Sequence, residues 1–296
     1  MPSLKDVKNK IGGIKKTRQI TKAMNMVAAS RLRGVQLRME AFRPYADKFG
    51  EVLGNLAERA GDEASPLLMP RDEVKRVHVV VCTSDRGLCG GFNINIIESA
   101  EDYIEENLAE KELSFTCFGK KGRDWARKEG YEITDEHLGI VGTRFGFPVA
   151  STAGQKLIQS FLDEEYDEVY VVYSQFKGMS KQVPIVQKLL PIPPIEKEEG
   201  AETGEPGRYL PEHICEPSAE DLLDRLLPRN VYVQMYKALL ETSTAEHAAR
   251  MTAMENATKA CNDMLDELTL AYNKARQAAI TTELMDIVGG AEALKG

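Results

Sequence analysis

At each end of this sequence, apolar or small residues recur in alternating steps of three and four, over far more turns than a globular helix needs. The first run passes through Leu4, Val7, Ile11 and Ile14. It resumes at Ala28, Leu32, Val35, Met39, Phe42, Ala46, Phe49, Leu53, Leu56 and Ala60. The second passes, after a one-residue slip beyond Leu240, through Thr244, His247, Met251, Met254, Thr258, Cys261, Leu265, Leu268, Tyr272, Ala275 and Ala279. This spacing marks the seam of a helix packed along another helix. Ser3 with Asp6 and Ser218 with Asp221 have the form of capping boxes, and Gly61 and the pair Gly289-Gly290 sit where helices would stop. The first helix would be about 85 Å long and the second roughly 105 Å, whereas a domain built from such a chain is only about 40 to 50 Å across. Part of each helix must therefore project, and the two ends are expected to pair. Pro228 removes a donor and crowds the carbonyl of Asp224, so a kink or a short separate first turn is expected there. Because the second helix is the longer, its last stretch should overhang as a single helix.

Composition narrows the function. No stretch approaches the length of apolar residues that would span a membrane. The start of the chain has no secretory h-region, and its basic character is expected to belong to a bacterial cytosolic chain rather than a presequence. The five cysteines, Cys82, Cys89, Cys117, Cys215 and Cys261, form no C-x-x-C pair and read as reduced, mostly buried small residues. The four histidines, His78, His137, His213 and His247, lack ligand spacing, so metal catalysis is unsupported. Net charge is −8. Residues 1 to 48 nevertheless carry 12 Lys or Arg against Asp6, Glu40 and Asp47, which leaves that arm near +9 and the remainder near −17. A basic helix on an acidic protein suits an acidic partner. Nucleic acid is a candidate by charge, but the aromatic interleaving that single strands need is missing. Within the arm the apolar spacing falters at Arg18, Thr21 and Asn25.

Between the ends, Val77 to Cys82, Leu113 to Phe118, Val169 to Phe176 and Val183 to Leu190 read as strands. They alternate with helices from just after Asn93 to about Leu108, Lys121 to Lys128 and Val149 to Leu162. That order implies a Rossmann-like, mainly parallel, layered α/β domain with right-handed crossovers. The division expected is an N-terminal helix over 1–61, an α/β domain over 74–217 and a C-terminal helix and tip over 218–296. Within the middle part, residues 193–217 form an acidic, Pro- and Gly-rich loop. Ser84 to Asn93 places a glycine-rich turn after the first strand. Gly87, Gly90 and Gly91 fit neither dinucleotide nor P-loop spacing, so a structural role is expected, in which Gly90 and Gly91 let helix and strand approach. Hydrolase motifs are missing as well. These features leave open a rotor-like shaft, a coiled-coil adaptor binding nucleic acid, and a nucleotide sensor.

Three segments narrow the choice. IKKTRQITKAMNMVAASRLR (14 to 33), SDRGLCGGFN (84 to 93) and NKARQAAITTELMDIVGGAEAL (273 to 294) resemble, in order and separation, the diagnostic segments of the gamma subunits of F-type, proton-transporting ATP synthases of the bacterial type. The resemblance implies a long antiparallel, left-handed coiled coil of the two termini flanking a Rossmann-like α/β domain. It also implies a non-catalytic rotor in ATP synthesis and proton transport, reversible to ATP-driven pumping. Its partners would be the alpha and beta subunits of the catalytic ring, the epsilon subunit and the ring of c subunits, with no nucleic acid and no cofactor. The location implied is the cytoplasmic face of the bacterial inner membrane, peripheral and held there only through the complex. By the same resemblance Arg276, Gln277 and Thr281 would meet a loop of a beta subunit, and Lys22 and Met24 an acidic helix-turn-helix of beta. Ala278, Ala279, Ile280, Leu284, Ile287 and Val288 would form a small apolar bearing. Asn25 and Gly34 stand where relatives are often charged or basic, Tyr209 aligns only loosely with an aromatic near the c-ring contact, and thiol regulation is not expected.

Overall fold

A computed structural model describes residues 4–60, 65–193 and 219–293. Ser3, Gly61, Tyr209, His213, Cys215, Ser218 and the acidic segment beyond Pro193 lie outside the described residues. Five helices and five strands are found among those described: α1 (Leu4–Ala60), β1 (Arg76–Cys82), α2 (Phe92–Asn107), β2 (Glu112–Phe118), α3 (Lys120–Lys128), β3 (Glu132–His137), α4 (Phe147–Leu162), β4 (Glu168–Gly178), β5 (Lys181–Leu190) and α5 (Ala219–Ala293). The chain divides into two compact units, one of residues 1–28 with 250–296 and one of residues 29–249.

The larger unit is built on a single sheet of order β3-β2-β1-β4-β5. β1 pairs in parallel with β2 and β4, β2 with β3, and β5 is antiparallel to β4. The order reverses between β1 and β4, as in doubly wound folds. Residue alternation along β1 and β4 separates two apolar layers. Val80, Cys82, Val169, Val171 and Tyr173 face a layer filled by α4, by Val35, Met39, Leu53 and Leu56 of α1, and by Leu223, Leu227, Val231, Met235 and Leu239 of α5. Val77, Val79, Val81, Tyr170 and Val172 face a second layer made by α2 and α3. Within this unit Tyr236 of α5 packs edge-to-face with Phe42 and Phe145, with centroids 4.8 and 5.9 Å away.

Three sequence expectations need correction. α5 runs through Pro228 as one helix, so the separate first turn expected there does not form. A proline forfeits one hydrogen bond, but Leu223, Leu227 and Val231 on either side are essentially fully buried, and packing holds the helix across the gap. Pro44, which drew no notice in the sequence, is carried inside α1 in the same way. At the far end α5 passes Gly289 and Gly290 and continues to Ala293. A glycine in an exposed helix costs only about 1 kcal/mol relative to Ala, and Ala291 and Ala293 are strong helix formers. The sheet also has a strand the sequence did not announce: β3, EITDEH, is a polar edge strand without the apolar alternation that marks the others.

The glycine-rich turn after β1 is structural, but by a different device from the one expected. Gly90 adopts a left-handed conformation at φ 60°. A Cβ on Gly91 would meet only Asn95 of its own helix. The close approach to the strand end belongs to Gly119 and Gly122 at the start of α3. A Cβ on Gly119 would stand 2.2 Å from the Thr83 carbonyl oxygen, and one on Gly122 3.0 Å from Thr83 Oγ1. The loop consumes its own donors: Ser84 N–H donates to Asn93 Oδ1 at 2.9 Å and Phe92 N–H to Cys89 O at 3.3 Å. Asp85 accepts from Lys120 N–H and Gly139 N–H, so a carboxylate of the chain itself sits at the N-terminus of α3.

Candidate partner-contact surface

In the smaller unit, residues 4–28 of α1 run against residues 250–293 of α5. Arg18 Nη1 donates to Asn262 Oδ1 at 3.2 Å, the Thr21 and Thr258 hydroxyls are 2.7 Å apart, and Asn25 Nδ2 donates to the Met251 carbonyl at 2.8 Å. Partner numbers fall as α1 numbers rise, which makes the pair antiparallel. The three-and-four spacing shows directly in burial. On α1, Val7, Thr21 and Ala28 are buried, while Leu4, Ile11, Ile14, Arg18 and Asn25 are half-buried. On α5, Met254, Cys261 and Leu265 are buried, while Met251, Thr258, Leu268, Tyr272, Ala275 and Ala279 are half-buried.

The seam therefore does not falter at Arg18, Thr21 and Asn25. It changes chemistry there. Inserting those three between Ile14 and Ala28 gives steps of four, three, four and three, so the period alone places them on the partner helix. Polar groups at seam positions fix register, because a slipped pairing would strand them without partners. Sequence reading placed Thr258 on the α5 seam but missed its α1 counterparts, because there it followed only apolar side chains.

Around the seam the surface is basic and unusually apolar. Lys5, Lys8, Lys15, Lys16 and Lys22 are exposed, and so are Ile20, Met26 and Val27. Of the residues marked by resemblance, Lys22 is exposed and Met24 half-buried within the paired part of α1. Arg276, Gln277 and Thr281 are exposed on one stretch of α5, where Thr281 Oγ1 returns its proton to the Gln277 carbonyl at 2.9 Å. Every residue from Thr281 to Ala291 is exposed, including Leu284 at 57% and Ile287 at 68%. Met285 and Val288 continue this run. Five large apolar side chains from Ile280 to Val288 open to solvent form a patch suited to a partner surface. Ala278 is exposed and Ala279 half-buried beside it.

Titratable groups elsewhere are held inert. His78 is buried in the sheet between Ser114 and Thr116, stacked 4.3 Å from Tyr166, and desolvation lowers its pKa to about 3. Burial raises the Cys82 thiol far above its usual range and pushes Cys117 up to about 12. Cys82, Cys89, Cys117 and Cys261 are buried thiols. Among the described residues no group of three or more His, Cys, Asp or Glu side chains is placed to hold a metal ion. None of the described helices is long and apolar enough to cross a membrane.

A paired-helix unit with an exposed apolar end, joined in one chain to a doubly wound α/β unit, is the architecture of ATP synthase rotor proteins, and the ATP synthase family profile matches residues 3–294. The ATP synthase gamma chain of Desulfosudis oleivorans is 65% identical over 298 aligned residues, covering all of both chains. That of Desulforapulum autotrophicum is 61% identical and covers 99% of this chain and all of its own. Among solved structures, a chain from the central stalk and c-ring of the Tetrahymena thermophila mitochondrial ATP synthase aligns with TM-score 0.58 and 26% identity over 80% of this chain and 99% of that one. A chain from the Euglena gracilis mitochondrial ATP synthase aligns over 98% of this chain and 94% of its own with TM-score 0.65; at 19% identity it supports the fold alone. The chain belongs to the ATP synthase gamma chain family.

Proposed function

We propose that this chain is the central rotor shaft of an F-type ATP synthase. It couples proton-driven rotation of a membrane c-ring to sequential conformational change at catalytic beta subunits, and in reverse it turns ATP hydrolysis into proton pumping. The observation that carries this reading is the end-to-end match to gamma chains at up to 65% identity. The paired helices and the exposed apolar end of α5 fit it physically.

The shaft performs no chemistry. It acts through differential contact: an asymmetric rod meets each beta subunit of the surrounding ring differently, so one turn imposes a succession of nucleotide affinities on each. Stiffness comes from the supercoiled pair, with Thr21, Asn25 and Thr258 holding its register. Low-friction contact at the end comes from the small and apolar side chains of Ala278, Ala279, Ile280, Leu284, Ile287 and Val288. Arg276, Gln277 and Thr281 bind a beta-subunit loop through polar contacts, and Lys22 with Met24 faces an acidic element of beta, where complementary charge guides the encounter. Residues 1–61 and 218–296 serve as the shaft, and residues 74–217 form the domain that meets the epsilon subunit and the c-ring. The chain is peripheral, on the cytoplasmic face of a bacterial inner membrane, and reaches the membrane only through its complex.

The test is reconstitution. The purified chain should hydrolyse no ATP, and its addition to alpha and beta subunits should restore coupled hydrolysis. Deletion of residues 284–296 should weaken that coupling while leaving the melting of the α/β unit unchanged. Hydrolysis by the isolated chain, or full coupling without residues 276–296, overturns the proposal.

A further inference from the structure

The larger unit contains a cleft of about 540 Å³ that the shaft function does not use. Its walls carry three arginines from two elements, Arg31 and Arg38 on α1 and Arg144 on the turn before α4, together with His247 of α5. The turn is rigid. Gly142, at φ 80°, donates its N–H to Ser243 Oγ at 3.3 Å, and Thr143 bonds back to Gly139 and Ile140 through its hydroxyl and N–H.

Two of the arginines, Arg31 and Arg38, are held by backbone carbonyls and not by carboxylates. Arg31 Nη1 donates to Gly142 O at 3.1 Å. Arg38 Nη1 donates to Phe145 O at 3.1 Å, with its guanidinium 5.8 Å from the Phe145 ring centroid. A guanidinium has five N–H donors, so each keeps donors in reserve while its position is set. Among the described residues none of the three arginines forms an ion pair. The carboxylate beside the turn, Glu246, is 2.9 Å from His247 Nδ1 in a pair that is almost wholly buried. Two anchored guanidiniums and the unbonded one of Arg144 thus line one concave space.

We propose that this cleft is an oxyanion site that takes the phosphate groups of a small phosphorylated ligand. The planar fork of Arg matches phosphate in bidentate geometry, the volume falls within the usual range for small-molecule sites, and donors already anchored to the backbone lose little freedom on binding. Two sources share this chemistry: free inorganic phosphate and the polyphosphate of a nucleotide.

Titration of the purified full-length chain at low salt with inorganic phosphate, pyrophosphate and ADP, followed by calorimetry and ³¹P resonance, tests the site and separates the sources. Saturable binding is expected, about tenfold weaker in Arg144→Gln. The Arg144 guanidinium makes no bond to the described residues, so this variant keeps the fold, which thermal melting would verify. Arg31→Gln should weaken binding as well. Equal affinity for phosphate and pyrophosphate identifies free phosphate as the ligand, and tighter binding of ADP identifies a nucleotide. No binding by any of the three, or binding unchanged in both variants, overturns the proposal. Neither result bears on the reconstitution test of the shaft.

Discussion

The hydroxyl pair at the centre of the helix seam can be tested as a thermodynamic cycle. Thr21 Oγ1 and Thr258 Oγ1 are 2.7 Å apart. Thr21 Oγ1 also lies 3.1 Å from the Arg18 carbonyl, and Thr258 Oγ1 lies 2.7 Å from the Met254 carbonyl. Two hydroxyl protons serve three possible bonds, so at any moment one hydroxyl donates across the seam while the other accepts that bond and returns its own proton to a carbonyl of its own helix. Thr21→Val leaves Thr258 with its intrahelical bond but removes the cross-helix one and leaves its lone pairs facing a methyl, a loss of about 1 kcal/mol. Thr258→Val should cost a similar amount. With both replaced, two apolar groups of matching shape meet, and the double variant should lose less than the sum, with a coupling of about 0.5 to 1 kcal/mol. The appropriate assay is amide hydrogen exchange on the full chain, read at residues 18–28 and 251–262, because it reports local opening free energies apart from the global melt. Strict additivity of the two substitutions, or unchanged protection in both singles, would refute the register-locking role of the polar centre.

Two further substitutions probe the α/β unit. Gly119→Ala places a Cβ 2.2 Å from a backbone oxygen at φ 101°, and since backbone cannot swing aside the loss should reach about 3 kcal/mol or more. Gly130→Ala, at φ 79° with nothing within 4 Å, should cost only about 1 kcal/mol of backbone strain; similar urea midpoints for the two would contradict the steric account. For His78, folding lowers the pKa from 6.5 to about 3. The unfolded chain therefore binds a proton that the folded chain refuses within that window, and stability should fall as pH drops through it, by at most about 1.4 kcal/mol per pH unit. His78→Gln should remove this part of the slope in denaturant titrations across pH, and an unaltered slope would show that the imidazole is protonated in the fold.

Much of the framework was legible because it is periodic. Seams of threes and fours, and strands such as VHVVVC with turns at their ends, announce themselves within a few residues of sequence, and the helix ends of α2, α3 and α4 fall within two residues of expectation. β3 escaped because an edge strand facing solvent needs no apolar face, and its evidence lies in the pairing of Ser114 to Phe118 with Glu132 to His137. The candidate contact residues at the end of α5 came from resemblance, and among the described residues nothing covers the stretch from Thr281 to Ala291.

The spacing of side chains along the polypeptide thus determined every helix and every strand but β3, which face of each is buried, and that two long helices must find partners. Tertiary structure alone decided that Thr21 meets Thr258, that Gly119 presses on Thr83, and that Arg31, Arg38 and Arg144 line one cleft. The reason is physical: periodicity is a property of neighbours three or four residues apart, whereas these contacts join residues 36 to 237 positions apart and exist only once burial and backbone hydrogen bonding have chosen a single register.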